Sequence, residues 1–77
     1  MSATSAAQQT AEDVQSEFGA PAEADGGAVT VDNTDEQVSP RVLYGYADTA
    51  AATLGLTVRY EQPAPGHIRV VYEEADR

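Results

Sequence analysis

The spacing of apolar residues changes period between Ser39 and Glu74, and each change marks an element. From Pro40 to Leu54 the apolar positions recur at helical spacing. Placed at ~100° per residue, Val42, Tyr46, Ala50, Leu43, Leu54, Ala47, Ala51 and Tyr44 cover an arc roughly 200° wide. Ser39 and Pro40 supply a helix start, because serine accepts from free amides and a proline at the first helical position has no amide to satisfy. Gly55 supplies the stop. Beyond it Leu56, Val58 and Tyr60 alternate with Thr57, Arg59 and Glu61. Ile68, Val70 and Tyr72 then alternate with His67, Arg69, Val71 and Glu73. These are two amphipathic strands joined across Pro63-Ala64-Pro65-Gly66. Charge selects their register: pairing Tyr60 with Val70 sets Glu61 opposite Arg69, whereas pairing Tyr60 with Ile68 would oppose Arg59 and Arg69.

The preceding residues give weaker patterns. Ala28 to Asp32 alternates and is β-branched, which predicts a short first strand with Val29 and Val31 on its buried face. Asn33 to Val38 reads as a polar, acidic loop. Residues 1–27 are rich in Ala, Ser, Gln and Gly and nearly devoid of bulky apolar side chains, so they read as a flexible acidic arm ending at an Asp25-Gly26-Gly27 hinge. Within the arm, Thr10 and Asp13 resemble a capping box, and Ala11, Val14 and Phe18 fall at helical spacing before Gly19. They predict a short helix over residues 11–18, marginal by itself. Glu73, Glu74 and residues 75–77 read as a solvated tail that frays. The expected fold is α+β: one helix packed on a three-stranded sheet, in the order β-α-β-β over residues 28–74, with a disordered N-terminal arm.

Charge changes this picture. Across 77 residues, thirteen Asp and Glu face four Arg, with no lysine, for a formal net charge of −9. Ala, Thr and Val are common, and Leu43, Leu54, Leu56 and Ile68 are the only large aliphatics besides valine and methionine. This composition resembles that of cytoplasmic proteins from haloarchaea. The resemblance implies a dense carboxylate surface kept soluble in molar salt, where charge is screened within roughly 3 Å. It spans the whole chain and points to a type of organism, not to a protein family. The absence of cysteine excludes disulfides and thiolate metal sites. No apolar run is long enough to cross a membrane, and the start lacks the apolar segment of a signal peptide, so a cytoplasmic location is expected.

Catalytic chemistry has little to work with. His67 is the sole histidine and sits beside a Pro-Gly turn, as solvated turn residues do. Asp32-Asn33-Thr34-Asp35-Glu36 offers hard oxygen ligands without the spacing or glycine of a calcium loop. Gly26-Gly27 precedes a strand instead of opening a helix, which excludes a phosphate loop. The expectation is therefore a protein that is no enzyme and has no cofactor and no metal.

Two other functions remain. One face of a small sheet covers little more than 100° of a helix, so the flank bearing Tyr44 and Ala51 should be left over, with Ala47 allowing close approach. Four tyrosines against one phenylalanine also suit an interface. The expected partner-binding residues are Tyr44, Ala47 and Ala51, Val14 and Phe18 of the arm, and Val71 on the outer sheet face. They describe a small adaptor or assembly subunit that self-associates or docks on a larger protein. The alternative is a winged-helix-like DNA-binding regulator that uses helix 40–54 and places Arg41, Arg59, His67 and Arg69 against nucleic acid.

Overall fold

The computed structural model describes residues 2–74. Helices and strands follow in the order α1 (Ala3–Phe18), β1 (Ala22–Asp25), β2 (Ala28–Asp32), α2 (Pro40–Leu54), β3 (Leu56–Glu61) and β4 (His67–Glu74). The strands form one antiparallel sheet, ordered β1-β2-β4-β3. Both helices cover the same face of it. Val29, Val31, Ile68, Val70 and Tyr72 meet Ala6, Ala7, Ala11 and Val14 of α1 and Leu43, Ala47 and Ala51 of α2 in one core.

The fold is α+β, but it has one more helix and one more strand than the sequence pattern predicts, and the N-terminal arm is not disordered. Ser2 opens α1 by accepting the Ser5 amide through its hydroxyl, and Gly19 closes it in the left-handed conformation, φ 70°. The helix therefore begins eight residues before the expected 11–18 segment. Thr10 is not its cap. It lies inside the helix, fully buried, with its hydroxyl bonded to the Ala6 carbonyl and to the Tyr72 hydroxyl, each at 2.8 Å.

Asp25-Gly26-Gly27 is a hairpin turn instead of a hinge. Asp25 pairs with Ala28, so Gly26 and Gly27 form a two-residue loop, with Gly26 at φ 60° as such tight turns demand. The turn lets Ala22–Asp25 add an edge strand that four residues of mixed, partly polar character do not announce.

The hairpin of β3 and β4 has the register that charge selects, with Tyr60 opposite Val70 and Glu61 opposite Arg69. On its other side β4 pairs with β2, placing Val31 against Ile68 and Val29 against Val70. Glu73 and Glu74 belong to β4, and Glu74 accepts the Ala3 amide at 3.0 Å, tying the sheet to the start of α1. The rest of the expected frayed tail, residues 75–77, lies outside the described residues.

The acidic loop is held by its own polar groups. The Asn33 side chain both donates to the Val38 carbonyl and accepts the Val38 amide, and the Asn33 amide donates to Gly66 in the β3–β4 turn. Val38 is buried as a result.

This packing overturns part of the expected partner surface. Val14, Ala47 and Ala51 are buried in the protein's own core, because α1 occupies the space beside α2 that was expected to be vacant. Phe18 is half-buried against that core. Val71 does face the outer side of the sheet, opposite Arg59 and Ala28, but only 9% of it is exposed. Tyr44 is half-buried against the core as Phe18 is, and none of the six is fully exposed.

Candidate interaction surface

The two edges of the sheet differ in how their backbone groups are met. In β4 the Tyr72 amide donates to Gly27 on the β2 side at 2.8 Å. Neighbouring residues of a strand aim their amides and carbonyls to opposite sides, so Arg69, Val71 and Glu73 turn toward β3, where they face Glu61, Arg59 and Thr57. The residues between, Val58 and Tyr60, must then direct their amides and carbonyls outward, to the free edge. Among the described residues no hydrogen bond reaches those groups.

The same reasoning at the opposite edge ends differently. The Asp32 amide donates to Pro21, so β2 turns Ala28, Thr30 and Asp32 toward β1, and Ala22 and Ala24 face outward. There the Ala22 carbonyl accepts Nε2 of Gln15, reaching over from α1, at 2.7 Å. A strand of four residues with a side chain over its rim is a blunted edge; β3, with six residues, is an open one.

Tyr60 anchors the open edge to α2. Its ring lies 4.3 Å from that of Tyr44, tilted by 45°, and its hydroxyl reaches the Tyr44 carbonyl at 2.9 Å and Asp48 Oδ1 at 2.6 Å. Burial, then the hydrogen bond to Asp48, pushes the Tyr60 hydroxyl well above its usual range, so it stays protonated and donates. Tyr46, on the other flank of α2, bonds Asp13 of α1 and is raised for the same two reasons in the same order. Tyrosine–carboxylate bonds thus fix both flanks of α2, one to α1 and one to the β3 edge. Half-buried Val58 completes the apolar part of the open edge, Leu54 lies on the α1 side of α2 beside Ala6 and Ala50, and Val42, at 49% exposure, stands on the outer surface of α2.

The residues expected at nucleic acid do not form a free basic surface. Arg59 lies 3.5 Å from Glu61 and 3.8 Å from Glu73, Arg69 lies 3.3 Å from Glu61, and His67 lies 4.0 Å from Asp32. All share the uncovered sheet face with Glu23 and Asp25, a surface whose net charge repels phosphate. Arg41 is exposed at the start of α2, apart from them. The hairpin is no projecting wing, since β4 is an interior strand.

The acidic loop likewise turns inward upon itself. Asp32 accepts both the amide and the hydroxyl of Thr34, and these bonds, the hydroxyl first, hold its carboxyl below the usual range. Among the described residues no group of three or more His, Asp or Glu is placed to hold a metal ion, and no helix is long and apolar enough to cross a membrane. A depression of about 660 Å³ lies between this loop and the β3–β4 turn, lined by Asn33, Thr34, Glu36, Val38, Pro40 and Gln62 among others. Its polar groups are the Asn33 and Gln62 amides, the Thr34 and Ser39 hydroxyls and the Glu36 carboxylate.

The open edge was not readable beforehand: a strand's sequence does not say whether a neighbour lies on each side. Tyr44 was, through its place on the helix flank. Comparison of the chain with protein-family models, with curated proteins and with solved structures finds no match.

Proposed function

We propose that the protein is a non-enzymatic interaction module, a small adaptor or assembly subunit, that binds other protein by adding a strand at β3. The observation that carries this reading is the asymmetry of the sheet: outward-turned backbone groups at Val58 and Tyr60, beside the Tyr44–Tyr60 pair, against a β1 edge capped by Gln15. In strand addition the backbone supplies affinity and the flanking side chains supply specificity. The chain's acidic composition adds that it works in the high-salt cytoplasm its resemblance to haloarchaeal proteins implies. The DNA-binding alternative is less well supported, because Arg59 and Arg69 are already neutralised by carboxylates in their own sheet.

One substitution isolates the edge. The Val58 amide makes no ladder bond, so Val58→Pro removes a donor that only a docked strand would use, while edge strands tolerate proline on their solvent side. Wild-type and Val58→Pro protein, each immobilised in molar potassium chloride, are expected to show the same circular dichroism but to differ in capture. A protein recovered from lysate of the source cells on the first should be missing from the second. Identical capture by two equally folded baits would remove β3 as the docking edge.

A further inference from the structure

We infer that the strand added at β3 is β3 of a second copy of this chain, antiparallel across a two-fold axis through Tyr60; the inference rests on β3 being the docking edge. An antiparallel self-pairing that keeps the helices of both copies on one side of the joined sheet matches even residues with even and odd with odd. Three registers satisfy this near the middle of β3, and they differ in what they bring together. An axis through Arg59 sets that residue against itself, a like-charge contact that is destabilising. An axis through Val58 sets Arg59 against Thr57 and makes no ion pair. An axis through Tyr60 sets Arg59 of each copy against Glu61 of the other, twice.

The side-chain pairing selects that last arrangement, and the backbone permits it. Tyr60 turns its amide and carbonyl outward, so the Tyr60–Tyr60 pair would exchange two hydrogen bonds, and Val58, whose groups also turn outward, would lie opposite Gln62, one residue past the end of β3. Arg59 and Glu61 then fall at the non-hydrogen-bonded positions, where opposing Cα atoms approach to about 4.5 Å and side chains are closest. Both side chains are accessible, 59% and 42% exposed on the uncovered face, and would share or exchange their intrachain partners, Arg59 with Glu61 and Glu73 and Glu61 with Arg59 and Arg69, for the residue across the axis. On the covered face the Tyr44–Tyr60 flanks of both copies meet at the axis. That flank also carries Arg41 and Asp48, about 20° apart on the helix surface and of opposite charge, as a self-complementary contact requires.

The protein has no cysteine, so the register is read by cross-linking. Full-length Arg59→Cys, Glu61→Cys and Thr57→Cys variants are mixed in pairs and oxidised in molar potassium chloride, and the products are resolved by mass. An Arg59→Cys plus Glu61→Cys heterodimer is expected, since a 4.5 Å Cα separation lies within disulfide range. Dominant cross-linking of Arg59→Cys to itself, or to Thr57→Cys, would overturn the Tyr60 register. Sedimentation of the uncross-linked wild type in the same salt should show a concentration-dependent dimer, lost in Val58→Pro. A wild type that stays a single copy at every concentration overturns the self-pairing. If Val58→Pro nevertheless loses a captured protein, the docking edge stands and only its occupant was wrong; if capture is also unchanged, both fail.

Discussion

Glycine occupies two contrasting environments in this chain, and a methyl group added to each should act with opposite sign. At Gly27 a Cβ would lie 2.8 Å from the Tyr72 carbonyl oxygen and 3.1 Å from the Ala3 Cβ, because the β1–β2 turn is pressed between β4 and the start of α1. At Gly45, in the exposed middle of α2, it would meet nothing within 4 Å. Gly27→Ala is therefore expected to lower stability by about 1–3 kcal/mol through overpacking. Gly45→Ala should raise it by about 0.5–1 kcal/mol by restricting the unfolded chain and favouring the helix. Urea unfolding of both variants in one salt checks the pair, and a neutral Gly27→Ala would mean that the turn is not wedged in place. Sequence reading placed Gly26 and Gly27 at a break in the pattern, which they are. Whether a break is a hinge or a tight turn depends on what packs over it. Thr10 shows the same limit: its hydroxyl reads as a cap until Tyr72, 62 positions away, arrives beside it.

At the scale of elements, α1 carries the largest departure from expectation. Ala3, Ala7, Ala11, Val14 and Phe18 form an apolar stripe at spacings of three and four, and Gly19 ends it. The signal is faint, since each alanine contributes little area and residues 1–27 hold few bulky side chains. Small residues instead let the helix sit close to the sheet, where Ala6, Ala7, Ala11 and Val14 cover Val29, Val31 and Tyr72. Removing residues 1–19 would uncover those strands and leave the Tyr72 hydroxyl without Thr10. The shortened chain is expected to lose cooperative thermal unfolding, followed by circular dichroism; retention of a sharp transition would show that α1 is an accessory and not part of the core. By contrast α2 and β3 were legible to the residue and β4 to within two, as periodicity, Pro40, Gly55 and cross-strand charges pointed the same way; the Ser39 side chain, expected to cap α2, makes no capping hydrogen bond.

At the scale of the whole molecule, charge governs the conditions under which the fold persists. A formal net charge of −9 on 77 residues opposes compaction, and the ion pairs of Arg59 and Arg69 are exposed and offset little of it. Raising potassium chloride from low to molar concentration should therefore raise the thermal midpoint, most steeply while the screening length is still longer than the spacing of surface carboxylates. The same screening should strengthen pairing between two like-charged copies. A midpoint that is flat or falling over that range would remove the proposed adaptation to salt.

Sequence by itself determined the elements whose information is local: the helix 40–54, the two alternating strands after it, the register that charge imposes on them, and the placement of Tyr44 on a helix flank. Tertiary structure alone decided which apolar surface was left over. Exposure of Ala47 and Ala51 depended on whether a distant alanine-rich segment would fold over the sheet beside α2, and the freedom of the β3 edge depended on how many strands joined and in what order. Period and propensity act over a few residues, whereas burial and edge status are properties of neighbours that the chain brings together only when it folds.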